Sequence, residues 1–475
     1  MAEPAVASRL LDTLQLAERP RPRAVARWPH AHWLAVGTVC LGAFLGQLTA
    51  SVTSLVFPAL EGHFAASFAA VEWVSLAYLL VLVALLAPVG RLSDLVGRKT
   101  MYLGGFAVFA LASLGAGLAG NLAVLVACRA VQAVGGAMMQ ANSVALVARG
   151  VPERAMRTAL GVQAAAQALG LALGPTLGGL LVAHASWRWA FWVNVPIGVL
   201  GMLAGWFLLP RTFPDGRCPA RTPDREGRFD LAGLLLLAGS STALLLALSA
   251  ASGLPLPGWA VAGLLAAAAA ATFALVRQER RADRPIIPPG LVNTPGIRAG
   301  LLVALIGYLL LFCPLVLEPV VLAGRGTTAT AAGAAITALP AAFALAATAG
   351  GALLPGRWSD AARCRCGALT AAAGLLALAL LPAPGPWTTA APLLLTGYGL
   401  GLLLPANNAL VMRAIPAQSS AVGGGLVNTV RSLGTALGTA LPVLAVHQAG
   451  PAAGGRAVLL LLAAVAALAV RLCRG

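Results

Sequence analysis

The stretch that decides the fold is GRLSDLVGRK, residues 90–99, which lies between two long apolar runs. Its glycines permit a tight reversal of the chain between two spans. Asp94 is a lone acid among bases at a helix end, so it can cap a helix or pair with an arginine. A shortened copy, GRWSD, begins 266 residues later at residues 356–360, and four of its five residues agree with the first copy. The pair therefore indicates an internal repeat rather than an ordinary charged loop.

Apolar runs of about 20 residues recur from Trp33 to Val470. The chain is 59% hydrophobic and 10% charged, whereas a soluble globular chain carries roughly 25% charged residues. Each run must be helical because lipid offers backbone groups no partner, so the predicted fold class is an all-α integral membrane protein. The fourteen apolar segments lie at roughly 33–58, 71–90, 101–119, 121–147, 159–183, 188–209, 231–251, 257–276, 299–322, 330–354, 367–382, 388–412, 420–446 and 455–471.

The distribution of arginine and lysine sets the orientation. Of these 32 residues, 27 lie in the N-terminal tail, at the C-terminus or in loops that follow even-numbered segments. The opposite side carries Arg188, Arg325 and Arg456, and two more, Arg129 and Arg431, lie within segments. Because cytoplasmic loops carry the excess of basic residues, both termini are predicted to be cytoplasmic. The net charge of +17 therefore indicates membrane topology and not nucleic-acid binding.

The position of the repeat divides the chain. Removing the two segments between about 211 and 296 leaves about 180 residues between the copies, which is the length of six short-looped spans. We therefore predict two six-helix pseudo-symmetric bundles with two additional transmembrane helices between them. Parallel halves are a transporter design, with the substrate site between them near the midplane. The predicted parts are a cytoplasmic N-terminal tail 1–32, an N-terminal bundle 33–210, a linker with the two extra helices 211–296, and a C-terminal bundle 297–475.

The stretch at residues 90–99 resembles the signature loop of the major facilitator superfamily. RAVQAVGG at 129–136 is similar to that family's R-x-x-Q-x-x-G pattern, and GLALGPTLGG at 170–179 is similar to its antiporter motif. WRWAFWVNVPIG at 187–198 and GGLVNTVRSLG at 424–434 resemble its fourteen-span drug:proton antiporter branch. The resemblance implies a secondary active transporter that works by alternating access.

The resemblance covers about residues 33–471 and implies roles for the motif residues. In the signature loop, Asp94 is expected to hold a contact at the cytoplasmic gate that breaks and reforms between conformations. The gating positions are then Gly90, Arg91, Asp94, Gly97, Arg98 and Lys99, with Gly356 and Asp360 in the second copy.

Arg129 lies inside a segment, where a charge is costly unless it faces protein or water. The resemblance implicates Arg129 in proton relay, with Gln132 beside it. A buried partner for backbone carbonyls is the alternative interpretation of Arg129, and the sequence leaves both open.

Glycines recur every four residues in the fifth segment and form one stripe, which lets another helix approach closely. Pro175 bends the helix there, and Gln163 and Gln167 fall on the same face. The stripe is a packing seam, and the resemblance adds that it seals the cavity and biases it toward export. The motif residues are Gly170, Gly174, Pro175, Gly178 and Gly179.

The substrate cavity is expected to be large and mostly apolar, with sparse polar points. Each candidate for these points has side-chain packing as its alternative. The candidates are Gln47, Thr49, Tyr78, Gln140, Gln163, Gln167, Tyr308, Asn407 and Asn408.

The proton site departs from the family pattern. Many fourteen-span relatives carry an acid in the first span, in a stretch like L-D-x-x-x-V, where this chain has Thr49. A threonine hydroxyl cannot exchange a proton near neutral pH. Glu318, which precedes Pro319 near the outer end of the ninth segment, is the candidate for proton binding, and an acid exposed to water at the membrane surface is the alternative.

Several function classes are excluded. The sequence has no Walker loop, no His/Cys metal cluster and no nucleophile triad, so we expect no ATP hydrolysis, no cofactor, no metal site and no enzymatic activity. We predict a monomeric exporter of lipophilic or amphipathic drugs in a bacterial plasma membrane, whose partners are the substrate, protons and the lipid bilayer. A dedicated exporter of one self-made metabolite or lipid is the first alternative. A transport-inactive sensor on the same fold is the second.

Overall fold

The structure is a computed structural model that describes residues 18, 20–211, 230–251, 256–282, 290, 293–353, 358–381, 385–415 and 420–473. The regular secondary structure of these residues is α-helical, and they contain no strand. This agrees with the all-α class predicted from the apolar segments. Some side chains within the helices, including those of Arg91 and Asp94, lie outside the description.

The described residues form eighteen helices of more than one residue's length. Those before residue 211 are α1 (Arg23–Ala26), α2 (Ala31–Leu55), α3 (Phe57–Phe64), α4 (Phe68–Val71), α5 (Trp73–Val96), α6 (Arg98–Gly117), α7 (Leu122–Gly150), α8 (Glu153–His184), α9 (Trp189–Trp192) and α10 (Asn194–Leu208). A hairpin follows, made of α11 (Leu231–Ala251) and α12 (Gly258–Glu279). The later helices are α13 (Pro295–Ala323), α14 (Ala329–Ile336), α15 (Ala338–Leu353), α16 (Asp360–Leu380), α17 (Pro386–Ala414) and α18 (Ser420–Leu472).

Twelve helical stretches of the described chain are long and apolar enough to cross a membrane. The last of them lies in α18, where Gly450 has a φ of 77° and divides the helix into two arms. The apolar part of α11, Leu235–Ala250, is shorter than the twelve. Each predicted segment corresponds to one helix, one arm of α18 or two consecutive helices. The number of fourteen membrane crossings stays a prediction.

The second span of each half starts in the same way. Ser67 precedes α4 and its Oγ accepts a hydrogen bond from Ala70 N at 3.3 Å. Thr328 precedes α14 and its Oγ1 accepts one from Ala331 N, also at 3.3 Å. Both hydroxyls satisfy an otherwise unpaired amide of the first helical turn. In each half the short helix then breaks and a long one follows, at Glu72 before α5 and at Thr337 before α15.

The same helix pairs pack together in the two halves. In the first half α2 packs against α8, while α5 and α6 both pack against α7. In the second half α13 packs against α18, while α15 and α16 both pack against α17. The halves meet where α8 contacts α14 and α15, and where α5 contacts α18. This repetition is the arrangement that two parallel six-helix bundles produce.

The α11–α12 hairpin lies at the edge of the bundle. Only 11% of the apolar window of α12 is buried, and α12 packs mainly against α11. The base of the hairpin is held by Asp230, whose Oδ1 accepts hydrogen bonds from Gly233 N at 2.8 Å and from Gln278 Nε2 at 2.9 Å. α11 contacts both α5 and α18 and therefore connects the hairpin to both halves.

The reversal between spans 2 and 3 differs from the prediction. Gly97 alone makes the turn, with a φ of 109° that favours glycine. Gly90 lies inside α5, which continues to Val96. The expectation that both glycines serve the reversal was wrong, because the helix extends one and a half turns beyond the apolar segment.

Candidate functional site

A cavity of about 640 Å³ lies between the two halves, which is the size of a site for a drug-sized ligand. Its walls come from α2 and α8 in the first half and from α13, α15, α17 and α18 in the second. Next to it is a smaller space of about 60 Å³, bounded by α2, α5, α6, α7, α8, α13 and α18. The interface between the halves is thus hollow near the middle of the molecule.

Most of the polar residues predicted for the cavity do face it. Gln47, Gln167 and Tyr308 line both spaces. Tyr78 and Gln140 line the smaller space. Asn408 lines the larger one, so these six residues come together from six different helices.

Three predicted cavity residues lie elsewhere. Thr49 is buried and its Oγ1 donates a hydrogen bond to Asn194 Oδ1 at 3.0 Å. Asn407 is buried and its Nδ2 donates to Gly300 O at 2.8 Å, because one residue of helix turns it about 100° away from Asn408. Gln163 is buried and lines neither space, although it shares a helix face with Gln167. Each was assigned to the cavity by its polarity. The polar groups of Thr49 and Asn407 instead form hydrogen bonds with a neighbouring helix.

Four residues line both spaces: Gln47, Gln167, Tyr308 and Arg431. Arg431 is half-buried on α18, and its guanidinium carbon lies 5.7 Å from the centre of the Tyr308 ring, a cation–π contact. Arg431 lies within a predicted segment but was not among the predicted cavity residues. The four side chains form the polar centre of the cavity.

These four residues are two pairs related by the internal repeat. The sequence QALGLALG at residues 167–174 aligns with RSLGTALG at 431–438, and five of eight residues agree. This alignment places Arg431 where the first half has Gln167. It is a signal in the sequence that would have drawn attention to Arg431.

The packing of the glycines supports the same alignment. A Cβ added to Gly170 would meet Phe44 O on α2, and one added to Gly434 would meet Leu305 O on α13. Phe44 and Leu305 therefore hold matching positions on the first span of each half. Three residues farther along lie the other pair of cavity residues, Gln47 in α2 and Tyr308 in α13. Glycine is needed in both stripes because each helix backbone touches its partner directly.

The cavity is closed at the predicted outer side. A Cβ added to Gly179 on α8 would lie 2.5 Å from Ala329 O on α14, so the two halves touch at backbone distance there. One turn below, the hydroxyls of Thr176 and Thr337 form a hydrogen bond of 2.6 Å across the same seam. The larger cavity is lined by residues near the opposite end of α8, such as Val162. The space therefore extends toward the predicted cytoplasmic side.

Arg129 is enclosed in a polar network beside the cavity. It is 1% exposed, and its Nε donates a hydrogen bond to Val74 O at 2.8 Å. Its Nη1 donates to Gln132 Oε1, and Gln132 Nε2 in turn donates to Ser113 Oγ at 2.6 Å. The guanidinium also lies 4.5 Å from the centre of the Tyr78 ring, which lines the smaller space. The contact with Val74 O is of the kind that the alternative interpretation of Arg129 describes, and the proton-relay role stays a prediction.

The residues predicted to form the gate make separate contacts and do not form one cluster among the described side chains. Lys99 is buried and its Nζ donates hydrogen bonds to Trp206 O at 3.0 Å and to Leu209 O at 2.8 Å. It thus caps the C-terminal end of α10, a role that the sequence did not indicate. In the second copy of the motif, Asp360 forms an ion pair with Arg413 at the end of α17. Arg98 begins α6, and Gly356 lies outside the described residues.

Two acids are buried near the predicted outer ends of their spans. Glu318 is 2% exposed and its Oε2 has no hydrogen-bond partner in the described chain. The alternative of an acid exposed to water therefore does not hold for this structure. Glu72 is fully buried and its Oε1 accepts a hydrogen bond from Ser249 Oγ at 2.5 Å. Glu72 was not among the predicted site residues, although it lies at the start of the predicted segment 71–90.

Comparisons with known proteins identify the family. The model of the Major Facilitator Superfamily matches residues 39–439. A tetracenomycin C resistance and export protein of Streptomyces glaucescens is 29% identical over 428 residues, which cover 88% of this chain and 77% of that protein. A riboflavin transporter of Clostridioides difficile (strain 630) is 28% identical over 420 residues, covering 86% and 87%. The solved structure of an auto-inhibited peptide transporter of the POT family, 14% identical, has a TM-score of 0.62 over 92% of this chain and 95% of that one, which shows the fold alone.

Proposed function

The chain belongs to the major facilitator superfamily, and we propose that it is a secondary active efflux transporter that exports lipophilic or amphipathic small molecules in exchange for protons. As a member of that family it is a multi-pass membrane transporter and not an enzyme. The observation that carries the proposal is the cavity of about 640 Å³ between two pseudo-symmetric halves, with few polar groups on its walls. The name of the Streptomyces glaucescens relative, a resistance and export protein, supports the outward direction.

The arrangement of the halves supports alternating access. The larger space extends toward the predicted cytoplasmic side, while the α8–α14 seam closes the predicted outer side. Opening to the outside requires the Thr176–Thr337 hydrogen bond to break and the backbones at Gly179 and Gly333 to separate. Rocking of one half against the other around the central residues opens the cavity to one side of the membrane while it closes the other side.

Glu318 is the proposed residue that binds the proton exchanged for the substrate. Its buried carboxyl lies between Pro314 and Pro319 on α13, where prolines interrupt the helical hydrogen bonds. The test measures substrate-induced proton release from membrane vesicles. Glu318→Gln should abolish proton release while substrate binding persists. Wild-type release from that variant would remove Glu318 from the mechanism.

The orientation in the membrane is part of the proposal. We place the protein in a bacterial plasma membrane, as a monomer with both termini in the cytoplasm, on the basis of the arginine distribution. A reporter that is active only in the cytoplasm should be active when it is fused to the C-terminus. Activity of a periplasmic reporter at that position would contradict the orientation.

A drug-susceptibility panel in an efflux-deficient host tests the export function. Wild-type protein should raise the inhibitory concentration of several amphipathic compounds about fourfold or more, because export lowers their cytoplasmic concentration. Asp94→Asn is the matched control, because the signature loop should be required for the conformational change and not for folding. Resistance to one compound only would favour a dedicated exporter. No resistance, with intact expression, would favour a transport-inactive sensor.

A further inference from the structure

The charge at the centre of the cavity is positive. Arg431 is a cation that faces both spaces, and no described residue of either lining is an aspartate or glutamate. The Tyr308 ring lies next to it, with its centre 5.7 Å from the guanidinium carbon. The ring offers an electron-rich face but carries no negative charge, so it is not a counter-ion. A cation in such a site is stabilised when a ligand brings the negative charge.

The other three central residues complement that charge. Gln47 and Gln167 offer amide donors, and Tyr308 offers a hydroxyl donor next to an aromatic face. The internal repeat makes the asymmetry plain, because the first half has the neutral Gln167 at the position of Arg431. The four groups together can bind a flat molecule that carries acidic oxygens.

We propose that the cavity selects planar aromatic compounds that carry an acidic group, a carboxylate or a phenolate, bound by Arg431. The aromatic part of the compound lies along the apolar wall near Phe343 and Leu171, and the acidic oxygens accept hydrogen bonds from the guanidinium fork. This inference deepens the proposed export function and rests on it for its physiological meaning. It assigns the protein to organic anions rather than to lipophilic cations.

The test compares two dyes that share one ring system and differ in charge. Fluorescein is anionic and rhodamine 123 is cationic near pH 7.5, and binding of each to purified protein is followed by fluorescence polarisation. Wild type should bind fluorescein at least tenfold more tightly than rhodamine 123. Arg431→Gln, which installs the residue of the pseudo-equivalent position, should weaken fluorescein binding roughly tenfold or more. Arg456→Gln, an exposed arginine of the same helix, is the matched control and should bind as wild type does.

The outcomes separate this inference from the export function. Equal binding of the two dyes, no binding of fluorescein, or fluorescein binding that survives Arg431→Gln would each overturn the anion site. If Arg431→Gln does not fold, Arg431→Lys keeps the charge and should retain fluorescein selectivity over rhodamine 123, and its loss would also overturn the site. Because binding needs no gradient, a protein that binds fluorescein selectively but moves no compound across vesicles would contradict export alone.

A separate observation concerns Glu72, at the junction with the inserted hairpin. Ser249 Oγ on α11 lies 2.5 Å from Glu72 Oε1 and 3.1 Å from Ala69 O, and it accepts a hydrogen bond from Trp73 Nε1 at 2.8 Å. A hydroxyl has one hydrogen, so Ser249 can donate to the carboxylate or to the carbonyl but not to both. Glu72 Oε2 has no partner in the described chain.

Protonation of Glu72 changes which of these bonds form. When Glu72 is ionised, Ser249 donates to Oε1. When Glu72 carries a proton, the carboxyl donates to Ser249 Oγ and frees the serine hydrogen for Ala69 O. One proton gained or lost thus reverses a hydrogen bond between α11 and the start of the second span.

No other charge of the described chain contacts Glu72. α11 has no ionisable side chain. The ionisable side chains that the structure describes on the other helices packed against α4 and α5 are His32 and Cys40 on α2, Glu61 and His63 on α3, Lys99, Arg98 and Tyr102 on α6, Cys128 and Arg129 on α7, and Arg431, His447, Arg456 and Arg471 on α18. An ionised carboxylate in such a place lacks a counter-ion, so the site favours exchange of a proton over a permanent ion pair.

We infer that Glu72 is a second proton-binding carboxyl and that Ser249 of the inserted hairpin is its positioning residue. The site lies at the predicted outer side, where protons enter in an export cycle. It gives the α11–α12 hairpin a task in coupling, beyond packing at the edge of the bundle. This inference also rests on the proposed proton exchange.

Infrared difference spectra between two pH values test the site without any transport. Wild type should show carbonyl bands of carboxyls that titrate, with Glu318 contributing one. Glu72→Gln, which keeps hydrogen-bonding groups toward Ser249, should remove the Glu72 band and leave the Glu318 band, with an unchanged melting temperature. Ser249→Ala should shift the pH midpoint of the Glu72 band but not remove it. An identical difference spectrum in Glu72→Gln would overturn the site. If Glu72→Gln does not fold, an unchanged pH midpoint in Ser249→Ala overturns it instead.

Discussion

Two arginines lie inside the membrane region of this protein, and they differ in what surrounds them. Arg129 on α7 is 1% exposed and donates to a backbone carbonyl and to Gln132. Arg431 on α18 is half-buried and faces the cavity next to Tyr308. The sequence placed both within apolar segments and marked only Arg129 as functional.

The comparison teaches that the partners of an intramembrane charge, and not its presence, indicate its task. Arg129 is bound by α5 and α7 at once, and Phe191 on α9 covers it at 5.9 Å, so the residue holds helices together. Arg431 lines the space that a ligand would occupy, and its guanidinium carbon lies 5.7 Å from the centre of the Tyr308 ring. A charge whose donors are taken by protein acceptors supports the fold, and a charge that lines a cavity with no acid in its lining is available for a ligand.

The largest effect is expected at Arg129. Arg129→Ala leaves Gln132 Oε1 without its donor in a buried site, which should cost roughly 2 kcal/mol of stability and abolish transport. Arg129→Lys should restore transport only in part, because an ammonium does not reproduce the planar fork. Thermal unfolding of the purified variants and vesicle transport measure the two effects. Full activity of both variants would break the comparison, since Arg129 would then be dispensable.

A charge swap across the internal repeat sharpens the comparison. The double variant Gln167→Arg with Arg431→Gln moves the cation to the pseudo-equivalent position of the first half. Because both positions line both spaces, fluorescein binding should recover to within about fivefold of wild type, about 1 kcal/mol. The single variant Arg431→Gln is the reference. No recovery would show that the position of the charge matters as much as its presence.

Much of the architecture was predictable from the sequence because lipid restricts the backbone to helices and arginine counts restrict the topology. The repeat of GRLSD as GRWSD predicted the division of the chain into two halves. The breaks at Glu72 and Thr337 were not predictable from hydropathy, because the flanking residues stay apolar through them. The loop predicted between the last two segments is confirmed: Gly450 has a non-helical φ of 77°, and the chain folds back there so that Gly454 packs against Ala445 O.

The site was less predictable, and particular residues show why. Polarity alone suggested Asn407 and Asn408 together, but helix rotation sends one to Gly300 O and the other to the cavity. Thr49 was assigned to the cavity by its polarity, and its hydroxyl instead donates to Asn194 Oδ1. Lys99 was assigned to a gate by its motif, yet it caps α10 because its long stem reaches the last carbonyls. Which neighbour takes a polar group depends on tertiary packing that one sequence does not encode locally.

The smallest effect is expected at Tyr308, the aromatic partner of Arg431. Tyr308→Phe keeps the ring beneath the guanidinium and removes one donor, so fluorescein binding should weaken about threefold. Tyr308→Leu removes the ring as well and should weaken binding about tenfold. Polarisation titrations with purified protein measure both. Equal effects of the two substitutions would show that the hydroxyl, and not the ring, carries the contribution of Tyr308.

The most direct test of the distinct roles of the two arginines is one experiment on Arg129→Gln and Arg431→Gln together. For each purified variant the melting temperature and the fluorescein dissociation constant are measured beside wild type. The account predicts that Arg431→Gln keeps the melting temperature and loses affinity about tenfold, while Arg129→Gln loses several degrees and keeps the affinity of its folded fraction within about twofold. The opposite result, in which Arg129→Gln loses affinity for fluorescein and Arg431→Gln lowers the melting temperature, would contradict the account.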